Sequence, residues 1–242
     1  MSGPHDLELT LPWMREGTAR FLAAVGKLTD DDFKSPSKLP QWSRAHVVGH
    51  LAHNAEALGR LAAWARTGVE TPMYASRDQR AAEIAESATL PASELRSRVT
   101  ATARDLDDAL LRLGTGQWNA QVRSALGRAI PAAEIPWMRV REVWLHAVDL
   151  DNGISVDDLP SGVVDALLDD VTAALSRKDT CPALVLAPTD RHGTWRVGAA
   201  RADDAGSTAE FKATAADTMG WLTGRIPSAE LRQGLPVLPS WL

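Results

Sequence analysis

The sequence contains very little cysteine and no long apolar run. Its 242 residues include one cysteine, Cys181, so an internal disulfide is excluded. No apolar run approaches the roughly 18–20 residues that a membrane-spanning helix needs. The first ten residues, MSGPHDLELT, lack the basic region and the apolar core of a signal peptide. These absences predict a cytoplasmic protein with no membrane partner.

Clustered positive charge is also absent. The formal net charge is −5, and the 26 lysines and arginines are dispersed along the chain. A basic surface is therefore not expected, which argues against nucleic acid and anionic membranes as partners. Apolar residues make up 45% of the chain, enough for a sizeable core. The sequence does not fix the oligomeric state, and a monomer is the simplest expectation.

Helical periodicity dominates residues 1–155. Capping residues and glycines delimit four long helices, at about 6–26, 43–68, 93–114 and 137–150, and Ser76 opens a shorter one. Because most of the connections are short, we predict an antiparallel four-helix bundle. Residues 156–242 are predicted to form a small α+β domain, with a helix, the three short strands PALVLAP, TWRVGAA and AEFKAT, and a final helix TAADTMGWLTGR.

The segment WMRVREVWLHAVDL, residues 137–150, combines a charged stripe with an otherwise apolar helix. On a helical wheel Arg139, Glu142, His146 and Asp149 fall within about 80° of one another. A helix that is apolar on its other sides is usually buried, and buried charges need partners or a metal. A solvated Glu–His pair is the alternative that this pattern leaves open. For Arg139 we expect a structural pairing with Glu142 or Asp149.

The second long helix carries three histidines, His46, His50 and His53, at positions i, i+4 and i+7. His50 lies at the edge of the apolar stripe, and the other two are predicted to lie closer to solvent. Two imidazoles and one carboxylate from facing helices are typical of an open zinc site, and His50, Glu142 and His146 supply that set.

Three further residues are candidates for holding these ligands through hydrogen bonds. They are Asp149, Asn54 and His53.

Such a site permits two kinds of chemistry. Zinc hydrolysis needs a general base, and Asp149 could serve. Alternatively, the metal binds a thiol and makes it a thiolate. Cys181, in DTCPALVL, is predicted to be a small buried hydrophobic residue. A thiol-dependent reaction would therefore need a thiol from outside the chain.

Several motifs together resemble the mycothiol-dependent maleylpyruvate isomerase family. They are QWSRAHVVGH at 41–50, ETPMYAS at 70–76, IPAAEIPWMRVREVWLHAVDL at 130–150, the GR pair at 224–225 and the closing SWL. The resemblance covers essentially the whole chain. It implies a DinB-like four-helix bundle followed by a small sterol-carrier-like α+β domain. One departure is His53, where an aromatic residue is expected in the family.

The resemblance also implies a function. It implies zinc held by His50, Glu142 and His146, mycothiol as the thiol cofactor, and an essential Arg225 in LTGR. A structural alternative for Arg225 is an interaction with the C-terminal end of its helix. The implied reaction converts maleylpyruvate to fumarylpyruvate through thiolate addition, bond rotation and elimination, in the degradation of aromatic compounds. We expect Arg225, with Arg139 as a weaker candidate, to pair with the anionic substrate.

Two other functions remain compatible with the sequence. A mycothiol S-transferase on the same scaffold would release the thiol adduct, and its pocket would be more apolar. A non-catalytic metal- or thiol-binding sensor would turn over neither kind of substrate.

Overall fold

The computed structural model describes residues 6–198, 209–231 and 235–241. The chain divides into two compact units, Met1–Ile154 and Ser155–Leu242. The first unit contains the helices α1 (Leu7–Lys27), α2 (Arg44–Thr67), α3 (Arg77–Ser87), α4 (Ala92–Leu111) and α5 (Ile135–Asp149), and the strands β1 (Gln121–Arg123) and β2 (Ala129–Pro131). The second contains α6 (Ser161–Leu175), β3 (Leu184–Leu186), β4 (Trp195–Val197), β5 (Ala209–Phe211), α7 (Ala215–Leu222) and α8 (Ser228–Leu231).

Four long helices form a bundle in the first unit. Helix α2 packs against α4 and α5, and α1 packs against α5 and α4. In α4 the buried side chains recur at intervals of three or four residues, which is the helical period of one core-facing stripe; they are Leu95, Val99, Ala103, Leu106 and Leu110. The shorter α3 packs against α2. The predicted four-helix bundle is thereby confirmed.

The ends of these helices follow the capping residues in the sequence. Asp6 accepts a hydrogen bond from the backbone N–H of Glu8, and Ser76 accepts one from Gln79. Helix α2 ends at Gly68, whose φ of 73° is favourable for glycine and strained for other residues. These caps fix the beginning of α3 and the end of α2.

A close approach between α1 and α5 depends on Gly17. A Cβ atom at this position would lie 2.6 Å from both Trp144 Nε1 and Val143 Cγ2. The indole N–H of Trp144 donates to the Trp13 carbonyl at 3.0 Å. The absent side chain therefore lets the Trp144 ring lie against the backbone of α1, which fixes the position of α5.

The segment between α4 and α5 contains a hairpin that the sequence pattern did not predict. Strands β1 and β2 pair antiparallel, with Val122 opposite Ile130, and both of these side chains are buried. Gly127, with φ 79°, lies in the connecting turn. Each strand has three residues, too few for alternation to be visible in the sequence.

The second unit is a small α+β structure, as predicted. Its three-stranded sheet has the order β4-β3-β5, with β3 antiparallel to β4 and parallel to β5. Helices α6 and α7 pack together, and the rings of Phe211 and Trp221 lie 4.9 Å apart in the core. Ala199 and Ala200, the end of the predicted strand TWRVGAA, lie outside the described residues. The one-turn helix α8 was not predicted.

Among the described residues, no helix is long and apolar enough to cross a bilayer.

Candidate metal centre

Helices α2 and α5 bring His50, Glu142 and His146 together. Nε2 of His50 lies 2.8 Å from Oε2 of Glu142, and Nε2 of His146 lies 3.2 Å from the same oxygen. One ligand atom from each residue lies within 4.8 Å of the other two. Glu142 and His146 are one helical turn apart on α5, whereas His50 comes from the facing helix. Both imidazoles thus direct their Nε2 atoms at one point.

Aromatic packing fixes the orientation of these imidazoles. The rings of His50 and His146 are 4.8 Å apart and almost perpendicular, at 89°. Trp42 meets His50 edge-on at 5.6 Å and lies nearly parallel to His46 at 6.1 Å. His46 itself accepts a hydrogen bond at Nδ1 from the backbone N–H of Ser43, at the beginning of α2. The first histidine of the helix therefore takes part in capping α2.

Asp149 contacts His146 through Nδ1, the ring nitrogen that does not face Glu142. Nδ1 of His146 lies 2.8 Å from Oδ2 of Asp149, which is fully buried at the end of α5. A carboxylate at this distance keeps a proton on Nδ1, so Nε2, which faces Glu142, is the nitrogen that could bind a metal. Of the three residues predicted to hold the ligands, Asp149 is the one that the structure joins to them by a hydrogen bond.

Burial and neighbouring charges separate the pKa values of the three residues. Burial lowers the pKa of His50 to about 4, against an opposing effect of Glu142. Burial alone would raise the pKa of Glu142, but the charges and hydrogen bonds of His50 and His146 hold it well below its usual range. Burial also opposes the charged form of His146, but hydrogen bonds to Asp149 and Glu142 outweigh it and raise the pKa of His146. The cluster is therefore set up with an ionised Glu142 and a neutral His50.

This donor set fits a divalent ion such as zinc. Zinc takes imidazole nitrogen and carboxylate oxygen ligands at about 2.0–2.2 Å, and catalytic sites have three protein ligands and one open position. Ligand atoms in tetrahedral geometry at those bond lengths lie about 3.4 Å apart. The separations of 2.8 and 3.2 Å from Glu142 Oε2 are close to that value, and all three ligand atoms lie within 4.8 Å of one another.

Asn54 and Arg139 form a separate buried pair. Nη1 of Arg139 donates to Asn54 Oδ1 and to the Leu51 carbonyl, both at 2.8 Å. Burial lowers the pKa of Arg139 to about 10, with an opposing effect from the charge of Glu142. Arg139 thus makes its hydrogen bonds to α2 and influences Glu142 through its charge. The expectation that Asn54 supports a metal ligand directly is replaced by this contact with Arg139.

The prediction that His53 lies toward solvent is wrong. This histidine is 6% exposed, and its Nε2 lies 2.8 Å from the Ser87 hydroxyl, while its Nδ1 lies 3.1 Å from Glu56 Oε2. Arg98 of α4 donates to Glu56 at 3.1 Å. The group superficially resembles a serine–histidine–carboxylate triad, but Ser87 is 1% exposed and cannot meet a substrate. Its observed contacts join α2, α3 and α4.

The remaining predicted residues belong to the second unit. Cys181 is buried, and burial raises the pKa of its thiol. Arg225 is half-buried, and its Nη1 donates to the Thr223 carbonyl at 2.6 Å, at the end of α7. The structure therefore includes the helix-terminal contact considered as the structural alternative for Arg225.

Two residues beside the metal centre received no role from the sequence. The guanidinium carbon of Arg80 lies 5.5 Å from the ring centre of Tyr74, and Nη2 of Arg80 approaches His50 Nδ1 at 3.4 Å. Tyr74 is the single tyrosine of the chain and lies within ETPMYAS, and Arg80 follows in α3. Nothing in their spacing connects them to His50, because the contact joins α3 to α2.

The bundle directs two imidazoles and one carboxylate at a common point, and a second carboxylate hydrogen-bonds to one of the imidazoles. This arrangement defines a candidate metal-dependent helical enzyme. Residues 14–151 match the family model described as the mycothiol maleylpyruvate isomerase N-terminal domain. The chain accordingly belongs to the mycothiol-dependent maleylpyruvate isomerase family.

Two solved structures support this assignment over the full length. The chain is similar to the crystal structure of the mycothiol-dependent maleylpyruvate isomerase, with 33% identity, a TM-score of 0.89 and complete coverage of both chains. It is equally similar to a histidine-to-alanine mutant of that isomerase, with 33% identity, a TM-score of 0.88 and complete coverage. No curated protein sequence matches the chain.

Proposed function

We propose that this protein is a mycothiol-dependent cis–trans isomerase that converts maleylpyruvate to fumarylpyruvate in the cytoplasm, as a step in the degradation of aromatic compounds. The proposal rests on one observation: a chain that is 33% identical over its full length to such an isomerase clusters His50, Glu142 and His146 with ligand atoms within 4.8 Å. We further propose that the metal is zinc, which matches the nitrogen and oxygen donors.

Each residue of the centre would have a distinct role in binding the ion. His50 and His146 supply Nε2 lone pairs, Glu142 supplies a negative oxygen, and Asp149 keeps the His146 proton on Nδ1. When bound, the metal would lower the pKa of the mycothiol thiol and so provide a thiolate nucleophile at neutral pH. The aromatic rings of Trp42 and the two ligand histidines keep the ligands in orientation.

An external thiol is consistent with the chain's own cysteine chemistry. Cys181 is the single cysteine, it is buried, and the pKa of its thiol is raised. A thiol with a raised pKa carries little thiolate at neutral pH and is a poor nucleophile. The nucleophile is therefore assigned to mycothiol.

We assign Arg225 as the catalytic cation. Maleylpyruvate is a dianion, and the reaction shifts negative charge onto a ketone oxygen. A guanidinium can pair with either a carboxylate or that oxygen. The assignment follows the position of Arg225 in the family motif LTGR; the guanidinium also donates to the Thr223 carbonyl at the end of α7.

One assay tests the proposed function. Purified protein is mixed with mycothiol and maleylpyruvate, and the loss of substrate absorbance is followed. Turnover is expected with both present, none without mycothiol, and a loss after treatment with a chelator that added zinc restores. Formation of a stable thiol adduct in place of fumarylpyruvate would instead identify a transferase.

A further inference from the structure

The loop before α3 and the first turns of that helix place a cation beside the metal centre. Nε of Arg60 donates to the Met73 carbonyl at 3.1 Å, which ties the loop to α2. The next residue, Tyr74, is half-buried and lies under the guanidinium of Arg80. That guanidinium also reaches His50 Nδ1 at 3.4 Å. Arg80 is thus held at the edge of the cluster by Tyr74.

The guanidinium of Arg80 contacts the Tyr74 ring and the His50 imidazole. Throughout residues 6–198, 209–231 and 235–241, no carboxylate forms an ion pair with its guanidinium. His50 is not a lasting acceptor either, because an imidazole that coordinates a metal through Nε2 carries its proton on Nδ1. With the metal bound, the Arg80 donors that face His50 therefore need another acceptor.

The charges of the centre call for a cation at this position. The carboxylates of Glu142 and Asp149 together balance one divalent ion. A thiolate and a dianionic substrate would then add three negative charges, which repel one another in a site of low dielectric. Arg139 is 1% exposed, and it is tied by Nη1 to Asn54 and the Leu51 carbonyl. Arg80 is the more accessible of these two arginines and can reach a ligand.

We propose that Arg80 binds one carboxylate of the substrate beside the metal, and that Tyr74 is the residue that positions it. The preferred ligand class is a short dicarboxylate, in which one carboxylate meets the guanidinium. This inference rests on the proposed function, because it deepens the description of the same site.

Direct binding tests the role of Arg80 without turnover. Zinc-loaded protein is titrated with maleate, a dicarboxylate that lacks the ketone, and the heat of binding is measured. Losing a hydrogen bond to a charged group weakens binding by about 10- to 100-fold, and we expect that loss of affinity for Arg80→Gln. Arg77→Gln removes an exposed arginine one turn earlier on α3 and is expected to bind maleate like the wild type. Zinc content should be equal in all three proteins.

Two kinds of result would overturn the inference. One is an unchanged maleate affinity in Arg80→Gln, or no binding of maleate to the wild type. The other is a loss of zinc from Arg80→Gln, because Arg80 would then act by supporting His50. Arg80→Lys should restore part of the affinity, since an ammonium keeps the charge but lacks the planar fork. Tyr74→Ala, which removes the ring beside the guanidinium, should lower the affinity for maleate without loss of zinc, and an unchanged affinity would refute the positioning role of Tyr74.

Steady-state kinetics separate this inference from the function itself. In Arg80→Gln the KM for maleylpyruvate should rise by about 10- to 100-fold, while the KM for mycothiol stays the same. If the wild type binds maleate through Arg80 but does not isomerise maleylpyruvate, the role of Arg80 in binding a carboxylate is supported and the proposed function is refuted. If the wild type isomerises maleylpyruvate but its affinity for maleate does not depend on Arg80, the proposed function is supported and the role of Arg80 is refuted.

Discussion

His146 and Asp149 form a hydrogen-bonded pair within one turn of α5, with 2.8 Å between Nδ1 and Oδ2. The imidazole is 12% exposed and the carboxylate 1%, so solvent competes little with this contact. Because the pair lies on one helix, its geometry is set locally and does not depend on how the bundle closes. Substitution of Asp149 is therefore the most direct way to alter the proposed metal centre without removing one of its three proposed ligands.

Asp149→Asn should weaken zinc binding by about 10- to 100-fold, because the amide no longer holds the His146 proton with a negative charge. Zinc affinity is measured by competition with a chromophoric chelator. Asp151→Asn is the matched control, since Asp151 is exposed and its carboxylate pairs with Lys38 at 3.9 Å. Equal zinc affinities for the two variants would show that Asp149 does not act on the ligand.

His50→Ala, Glu142→Ala and His146→Ala should each lose most of their zinc, because two remaining ligands hold the ion poorly. Metal content is measured by elemental analysis, with about one zinc per chain expected in the unmodified protein. His53→Ala should keep its zinc, since His53 bonds to Ser87 and Glu56. If His53→Ala loses zinc and His50→Ala retains it, the ligand assignment is wrong.

Cys181→Ala should keep the proposed isomerase activity, because the proposed nucleophile is the thiol of mycothiol. Turnover of maleylpyruvate is compared at saturating mycothiol, after circular dichroism has established that the variant is folded. A folded Cys181→Ala protein without turnover would point to an internal nucleophile and contradict the role given to mycothiol.

Arg225→Ala should lower the rate by roughly a hundred- to a thousand-fold, equivalent to about 2.7–4 kcal/mol, with unchanged zinc content. Arg225→Lys should recover part of the loss. Arg177→Ala is a suitable control, because Arg177 also donates to a carbonyl near a helix end, that of Ala173 in α6, but is exposed. Near-normal turnover by Arg225→Ala would show that Arg225 is not the catalytic cation.

Gly17→Ala should lower the free energy of unfolding by about 1–3 kcal/mol, since the new methyl group would overlap Trp144 and Val143. Unfolding by urea is followed by tryptophan fluorescence. Gly59→Ala, in the middle of α2 with nothing within 4 Å of the new Cβ, should instead raise the stability by about 0.5–1 kcal/mol. A shift of the same sign in both variants would argue against close packing at Gly17.

The sequence predicted those parts of the centre that depend on helical spacing. Glu142, His146 and Asp149 share a face of α5 because their separations are four and three residues, and this holds wherever the helix packs. The choice of His50 depended on the apolar stripe of α2, which faces α5. These relationships are local, or nearly so, and can be derived from periodicity.

What the sequence could not supply came from packing between distant elements. A helical wheel of α2 alone predicts one buried face. In the structure, the end of α3 and Arg98 of α4 cover a second face of α2 and bury His53. The contact of Arg80 with His50 likewise depends on how α3 lies on α2. The partner of Arg139 was misjudged for the same reason, since its acceptors, Leu51 and Asn54, belong to the facing helix.

The pairing of His50 with Glu142 has a consequence for the thermal stability of the fold. These residues are 92 positions apart in the chain, yet their facing atoms are 2.8 Å apart. An ion held by both would act as a cross-link, and closing so long a loop restricts the unfolded chain much as a disulfide does. With a single cysteine, the protein has no internal covalent bridge of that kind. Binding to the folded form alone adds about 2.7 kcal/mol at a free zinc concentration one hundred times the Kd, so heat resistance would follow the metal supply of the cell.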